Sequence, residues 1–189
     1  MVEDPGERRF GFGRNWLEFA DLVDEHRIAE AERSLRTLCA GTNLEGLRFL
    51  DIGSGSGLSS LAARRLGAKV VSFDYDADSV ACTGRLRDRF RPGDEDWRVD
   101  QGSILDRDYL AGLGAFDVVY SWGVLHHTGA MSEAIGNAAD LVVPGGLLIV
   151  ALYRKTRLCR LWTAEKRWYV QASPAAQQRA RRLYVAAMR

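Results

Sequence analysis

Apolar residues recur along this chain in two rhythms, and the alternation between them predicts its architecture. From Arg14 to Cys39 they fall three and four positions apart, at Trp16, Phe19, Ala20 and Val23 and then at Ile28, Ala31, Leu35 and Leu38. That spacing places them on one face of a helix, and Gly41 is positioned to end it. Short apolar runs follow at Arg48–Ile52, Lys69–Asp74, Trp97–Asp100, Phe116–Ser121 and Leu147–Tyr153, and each reads as a strand. Helical patterns separate them at Leu58–Leu66, Asp78–Phe90 and Met131–Val142, with a short helical turn at Asp108–Leu113. Pro144-Gly145-Gly146 reads as the turn into the last strand. Strands joined through helices must run parallel, so the pattern predicts an α/β fold with a doubly wound, five-stranded parallel sheet covered on both faces. Residues 1–44 read as an N-terminal helical cap, 45–153 as the core and 154–189 as a helical tail.

Composition bounds the reading without changing it. The chain has 189 residues and is 47% hydrophobic and 27% charged, the balance of a globular protein rather than of a disordered or disulfide-framed one. No apolar run approaches the roughly 18 residues of a membrane span. The acidic start Met1-Val2-Glu3-Asp4-Pro5 lacks a signal peptide's apolar centre. Cys39, Cys82 and Cys159 are scattered, which favours reduced thiols and a cytoplasmic protein. The formal net charge of +1 hides an asymmetry, since residues 154–189 carry ten Lys/Arg against Glu165 alone. Such a basic tail suits an anionic partner or a solvated helical face.

The candidate chemistry gathers where the first strand meets the first core helix. Asp51-Ile52-Gly53-Ser54-Gly55-Ser56-Gly57 is a glycine loop that lets backbone lie against a ligand. Its spacing is GxGxG, with Leu58 where the third glycine of a dinucleotide loop would fall. Asp51, just before the loop, would oppose a pyrophosphate but attract a cationic amino acid moiety. Asp74 ends the second strand 21 positions after Gly53, the spacing of an acid that accepts ribose hydroxyls. Asp100-Gln101-Gly102-Ser103-Ile104 and Ser121-Trp122-Gly123-Val124 leave the next strands on the same carboxyl edge, where open parallel sheets bind ligands.

With these residues in order, the chain resembles the class I S-adenosylmethionine-dependent methyltransferases. The resemblance covers residues 47–152 through four motifs: Leu50 to Gly57; Val71-Ser72-Phe73-Asp74-Tyr75-Asp76; Phe116 to Ser121 running into Val124-Leu125-His126-His127; and Val143-Pro144-Gly145-Gly146-Leu147-Leu148. It implies a Rossmann-like core, S-adenosyl-L-methionine as cofactor, and methyl transfer as the activity. It also implies that Asp51 and Gly53, within the loop of Ser54, Gly55 and Gly57, line the methionine part of the cofactor. Asp74 then takes both ribose hydroxyls, Tyr75 and Ile104 flank the adenine, and Ser103, beside Gly102, lies near its exocyclic nitrogen. Many relatives carry an acid where this chain has Ser103. The Gly13-Arg14-Asn15-Trp16 segment looks like the helix that some of these enzymes place over the cofactor. Relatives usually add an antiparallel sixth and seventh strand, and none is evident after Tyr153.

Methyl transfer from a sulfonium needs alignment more than proton chemistry, and alignment is worth roughly 7–11 kcal/mol. A hydroxyl or ammonium acceptor would also lose a proton, and His126 and His127, just past the fourth strand, are the candidate bases. Trp16, Phe12 and Trp122 could wall a sulfonium or substrate through cation–π attraction, and Ser121, beside Trp122, is expected among the cofactor-binding residues with Trp16 and Trp122. No metal site is expected. The absence of Asn-Pro-Pro-Tyr after Val119 argues against an adenine-N6 enzyme. The favoured reading is a methyltransferase acting on a small molecule. The weaker alternatives are an RNA methyltransferase using the basic tail, and a non-catalytic cofactor-binding subunit. Trp162, Trp168 and Tyr169 in the tail add an expectation of self-association, or of a chain shortened from a longer protein.

Overall fold

The structure is a computed structural model that describes residues 22–153, 163 and 167–187. The chain divides into two compact units, residues 1–152 and 153–189. The first contains α1 (Glu25–Leu38), β1 (Arg48–Ile52), α2 (Leu58–Arg65), β2 (Lys69–Asp74), α3 (Ala77–Phe90), β3 (Trp97–Gln101), α4 (Arg107–Ala111), β4 (Phe116–Trp122), a 3-10 turn (Leu125–His127), α5 (Met131–Asp140) and β5 (Val142–Ala151). The five strands form one parallel sheet in the order β3-β2-β1-β4-β5. Strand order therefore reverses beside β1, and the first and later crossovers fall on opposite faces.

Alternation along β1 shows how the sheet divides its two cores. Phe49 points to the face covered by α1, α2 and α3, among Ile28, Leu35, Leu61, Leu86 and Trp97. Leu50 and Ile52 point to the other, among Leu110, Leu113, Ala134 and Ala138 from α4, α5 and the loop between α4 and β4. Both groups are buried, as a parallel sheet requires of its central strands.

Three boundaries differ from the sequence reading. The long first helix does not run unbroken to Cys39: α1 begins at Glu25, because Asp24 is extended and its carboxylate accepts the Arg27 amide as an N-cap. Val23, Ile28, Leu35, Cys39 and Leu44 lie in the first core cluster, and α5 ends at Asp140 rather than Val142. Pro144-Gly145-Gly146 is not a turn before β5 but part of it. The ladder runs from Phe116↔Val142 to Val118↔Leu147, the extra residues forming an irregularity on a strand at the edge of the sheet. An edge tolerates such interruptions because no outer neighbour needs the lost hydrogen bonds.

The second unit contains α6 (Pro174–Ala187), whose first turn is closed by Ser173: its hydroxyl accepts the Ala176 amide and its carbonyl the Gln177 amide. Among the described residues no strand follows β5. The expected helix at 157–170 lies largely outside the described residues, as does the helical stretch from Arg14 through Ala20 with Phe12 and Trp16.

Phe49 is fully buried and its ring lies 5.9 Å from that of Tyr120. Truncating it leaves a cavity under the centre of the sheet, at a cost of about 3–5 kcal/mol. Phe49→Ala is expected to lower the thermal midpoint by on the order of 10 °C, read by circular dichroism.

Candidate functional site

The carboxyl ends of β1, β2, β3 and β4 bring the expected residues to one edge. The loop after β1 turns through three left-handed glycines, with φ of 74° at Gly53, 53° at Gly55 and 79° at Gly57. Gly53 cannot be replaced cheaply, since a Cβ there would overlap the Val124 side chain as well as occupy a left-handed backbone. The Phe73 carbonyl holds the turn by accepting from both the Gly53 amide at 2.8 Å and the Ser54 amide at 3.2 Å. Val124 in turn leads into the 3-10 turn of Leu125–His127, so the glycine loop and the histidine pair rest on each other.

Asp74 closes the other side of the loop. Its Oδ2 accepts the Gly55 amide and its Oδ1 the Asp76 amide, each at 3.0 Å. Burial raises this carboxyl above the ordinary aspartate value; the Asp76 and Gly55 amides act against that rise and the nearby Asp76 charge adds to it. Tyr75 beside it is exposed, and its carbonyl accepts from Gln101 Nε2. Gly102 donates its amide to the Asp74 carbonyl at 3.0 Å and packs so closely on Tyr109 that a Cβ would overlap the ring. Ser103 is half-buried, and its hydroxyl accepts the Leu105 amide.

Asp51 lies beneath the loop and is only 2% exposed. Ser60, from the second position past the start of α2, donates to its Oδ2 at 2.5 Å. Burial raises the Asp51 carboxyl to about 7, with the Ser60 hydrogen bond pulling the other way and the Asp74 charge adding to the rise. Asp51 pairs in register with Ser72 on β2 and with Tyr120 on β4, so all three share one face of the sheet. Burial likewise pushes the Tyr120 hydroxyl up to about 12.

The histidine rings lie 4.0 Å apart, inclined by 47°. His127 is exposed and His126 half-buried. Burial, then the neighbouring His127, lowers the His126 value, so its imidazole is neutral at pH 7 and able to accept a proton. Trp122 is half exposed at the end of β4 and stacks on Tyr120, the rings 6.0 Å apart and 11° from parallel.

Three of the expected contacts are turned inward. Ser54 shares a hydrogen bond with Thr83 of α3 at 2.9 Å, which ties the loop to the helix. Ser121 is fully buried and donates to the Ile52 carbonyl at 3.1 Å, pinning β4 to β1. Ile104 is packed in the second core cluster while its carbonyl accepts from Asn137 Nδ2. Their hydrogen bonds tie the loops to neighbouring elements. Trp16 lies outside the described residues.

A sequence profile described as a methyltransferase domain matches residues 23–184. The chain belongs to this methyltransferase domain family.

Curated relatives of the domain include a ubiquinone biosynthesis O-methyltransferase of Caulobacter, 34% identical over 141 residues, covering 71% of this chain and 51% of that protein. Another of the same description, from Brucella ovis, is 35% identical over 114 residues, covering 60% of this chain and 44% of that one. The methyltransferase domain thus spans about half the length of the curated relatives it matches. Among solved structures, magnesium protoporphyrin IX methyltransferase from Synechocystis with bound SAH superposes with a TM-score of 0.60 at 21% identity, covering 85% of this chain and 68% of the other. An O-methyltransferase family protein from Burkholderia thailandensis gives 0.57 at 22% identity, over 72% of this chain and 41% of the other. Both share the Rossmann-like fold.

The loop also rests on Ser60 and Thr83, which lie outside every motif, and on Ser72 and Val124, which the motifs contain without assigning them a role. Ser60, Ser72 and Thr83 are fully buried polar groups, and the available signal was a hydroxyl on an otherwise apolar helix or strand face.

Two cavities, of about 380 Å3 beside Arg64 and Asp94 and about 240 Å3 beside Asp117 and Gly145, lie away from the glycine loop. The first is lined by arginines already paired to carboxylates, and the second by the opposite end of β4 and β5.

Because the folded Asp51 value exceeds the ordinary 3.8, the folded state holds the proton more tightly than the unfolded one. Its contribution to stability is therefore largest in acid and falls as pH rises from about 4 to about 7. Asp51→Asn removes the buried charge. The thermal midpoint of the ligand-free variant is expected to exceed that of the parent at pH 8, by about 2–4 °C per kcal/mol recovered, and the gap to close almost entirely at pH 4, near the unfolded value. Differential scanning calorimetry at the two pH values checks this.

Proposed function

We propose that this chain binds S-adenosyl-L-methionine on the glycine loop and transfers its methyl group to a small-molecule acceptor. One arrangement carries the reading: a left-handed glycine turn with no room for a Cβ, flanked by the Asp51 and Asp74 carboxylates. The fit to the cofactor is chemical. Two acids flanking the loop repel a pyrophosphate but suit a ligand with a cationic amino acid part and a ribose. Asp74 supplies acceptors for the ribose hydroxyls, while Asp51 supplies negative charge under the methionine ammonium. Tyr75 stands exposed next to Asp74 as a surface for the adenine.

When bound, the cofactor supplies an already activated methyl on a sulfonium, open to in-line displacement. The protein's part is placement, which can supply roughly 7–11 kcal/mol. The half-exposed Trp122 offers its ring to a cationic centre at the loop. The neutral imidazole of His126, beside the exposed His127, takes the proton that a hydroxyl acceptor must lose. The relatives named as O-methyltransferases support an oxygen acceptor, and their names support a small biosynthetic one.

No helix among the described residues is long and apolar enough to cross a membrane, and Cys39 and Cys82 are buried, the Cys82 thiol donating to the Ser56 carbonyl. Both observations accord with a cytoplasmic enzyme. The exposed Trp168, Leu183 and Tyr184 of the second unit favour self-association over an RNA-binding role for the tail, and light scattering tests that choice.

Isothermal titration with S-adenosylhomocysteine tests the cofactor. Asp74→Ala is expected to weaken binding by about 1–3 kcal/mol, through loss of a charged acceptor. Heat with NAD and none with S-adenosylhomocysteine would overturn the assignment. Binding that falls steeply with salt only when RNA is added would transfer the acceptor to nucleic acid.

A further inference from the structure

A row of buried hydrogen bonds runs across one face of the sheet and ends on Asp51. Trp97 Nε1 of β3 donates to Ser72 Oγ of β2 at 2.9 Å. Ser72 donates to Ser60 Oγ of α2 at 2.7 Å, and Ser60 donates to Asp51 Oδ2 of β1 at 2.5 Å. Trp97, Ser72 and Ser60 are each 1% exposed or less. Water does not compete for these groups, so their directions are set by their own chemistry. An indole N–H donates and never accepts. With Asp51 ionised and so able only to accept, Ser60 sends its proton to Asp51, and Ser72, which accepts from Trp97, sends its own to Ser60. The row has one sense, and it delivers a donor to the carboxylate.

We propose that Trp97, Ser72 and Ser60 are positioning residues that hold Asp51 as an oriented, ionised acceptor for the ammonium end of the cofactor. The proposal rests on the reading of the loop as an S-adenosylmethionine site. Burial favours a neutral Asp51, and a ligand ammonium needs it charged; the one-way row supplies the hydrogen bond that offsets burial. Two carboxylate oxygens carry about four acceptor sites, so the bond from Ser60 leaves Asp51, beneath the loop, with acceptor capacity for a ligand donor. Other groups facing this carboxylate are Asp74 at the end of β2 and the Tyr120 hydroxyl on β4, itself bonded to Ser59 of α2 and near the Cys39 thiol. Tyr120 does not titrate near neutrality. Asp74 serves the ribose, so its titration must affect every adenosine ligand alike.

That difference supplies the test. Binding of S-adenosylhomocysteine, which carries the ammonium, and of 5′-methylthioadenosine, which lacks it, is titrated between pH 5.5 and 8.5. For the parent protein, affinity for the first ligand alone should fall toward acid. Ser60→Ala should lower that affinity about tenfold at pH 7 and move the midpoint of its pH profile up by about one unit, leaving 5′-methylthioadenosine within twofold. Ser72→Ala should act in the same direction with a smaller shift. In the parent, the assigned Trp97 indole N–H resonance should move on adding S-adenosylhomocysteine and several-fold less with 5′-methylthioadenosine, a readout that needs no variant to fold. Equal losses for both ligands, an unshifted midpoint, or an unmoved indole signal with S-adenosylhomocysteine bound would overturn the relay and leave the cofactor reading intact. Failure of the parent to bind either ligand would overturn both.

Discussion

The Asp51 carboxylate is the group around which this half of the molecule is organised. A charge buried beneath a loop is costly, and burial alone would leave it neutral. The fold meets that cost locally and only in part. Ser60 reaches it because α2 starts at Leu58, capped by Gly57, and it starts there because the glycine turn reverses the chain within five residues of Ile52. Ser72 reaches Ser60 because β2 pairs with β1 in the register Asp51↔Ser72. A shift of that register by one residue would put Ser72 in the opposite core and Phe73 beside the carboxylate. Strand register, helix start and the state of Asp51 are thus one constraint.

That constraint also explains why the core on this face looks as it does. Trp97 fills the space between β2, β3 and the helices while spending its only polar atom on Ser72. A phenylalanine would fill most of that space and leave Ser72 without its donor. Polar groups in the interior are tolerated when each has a partner, and here the partners come from four separate elements. The loop is similarly pre-set: Phe73 accepts two of its amides, Asp74 accepts a third, and Thr83 takes the Ser54 hydroxyl. A loop ordered before its ligand arrives loses less entropy on binding.

The sheet was legible because its signals are short-range. β1 and β2 fall on the residues the apolar runs mark, and β3 and β4 extend one residue further than the runs suggest. The misread boundaries each depend on something the pattern does not contain. Asp24 interrupts a continuous helical stripe by capping, which apolar spacing ignores. Pro144 and Gly145 sit inside β5 because the ladder with β4 is interrupted between Phe116↔Val142 and Val118↔Leu147, and such an irregularity is a property of the assembled sheet. Asp51 and Asp74 could be placed because strand ends in a parallel sheet share one side. Ser54 and Ser121 could not, since a serine near a strand end can point either way, and here both point inward. The Trp97 row was invisible for a further reason: its links join residues 25, 12 and 9 positions apart on different elements.

Stability and binding therefore pull on Asp51 in opposite directions. Without ligand, the folded chain is more comfortable with a proton on it, as its value near 7 implies. In the proposed binding mode a cationic ligand supplies the missing countercharge from outside the fold, so the group that costs stability without a ligand would add affinity with one. A neutral asparagine would relieve the first and forfeit the second. The Ser60 hydroxyl lies between these demands: it lowers the cost of the charge without neutralising it. Placing a row of hydroxyl donors behind a buried acid lowers the cost of its charge near neutral pH without a buried arginine or lysine, whose own charge would repel the ammonium proposed to bind there.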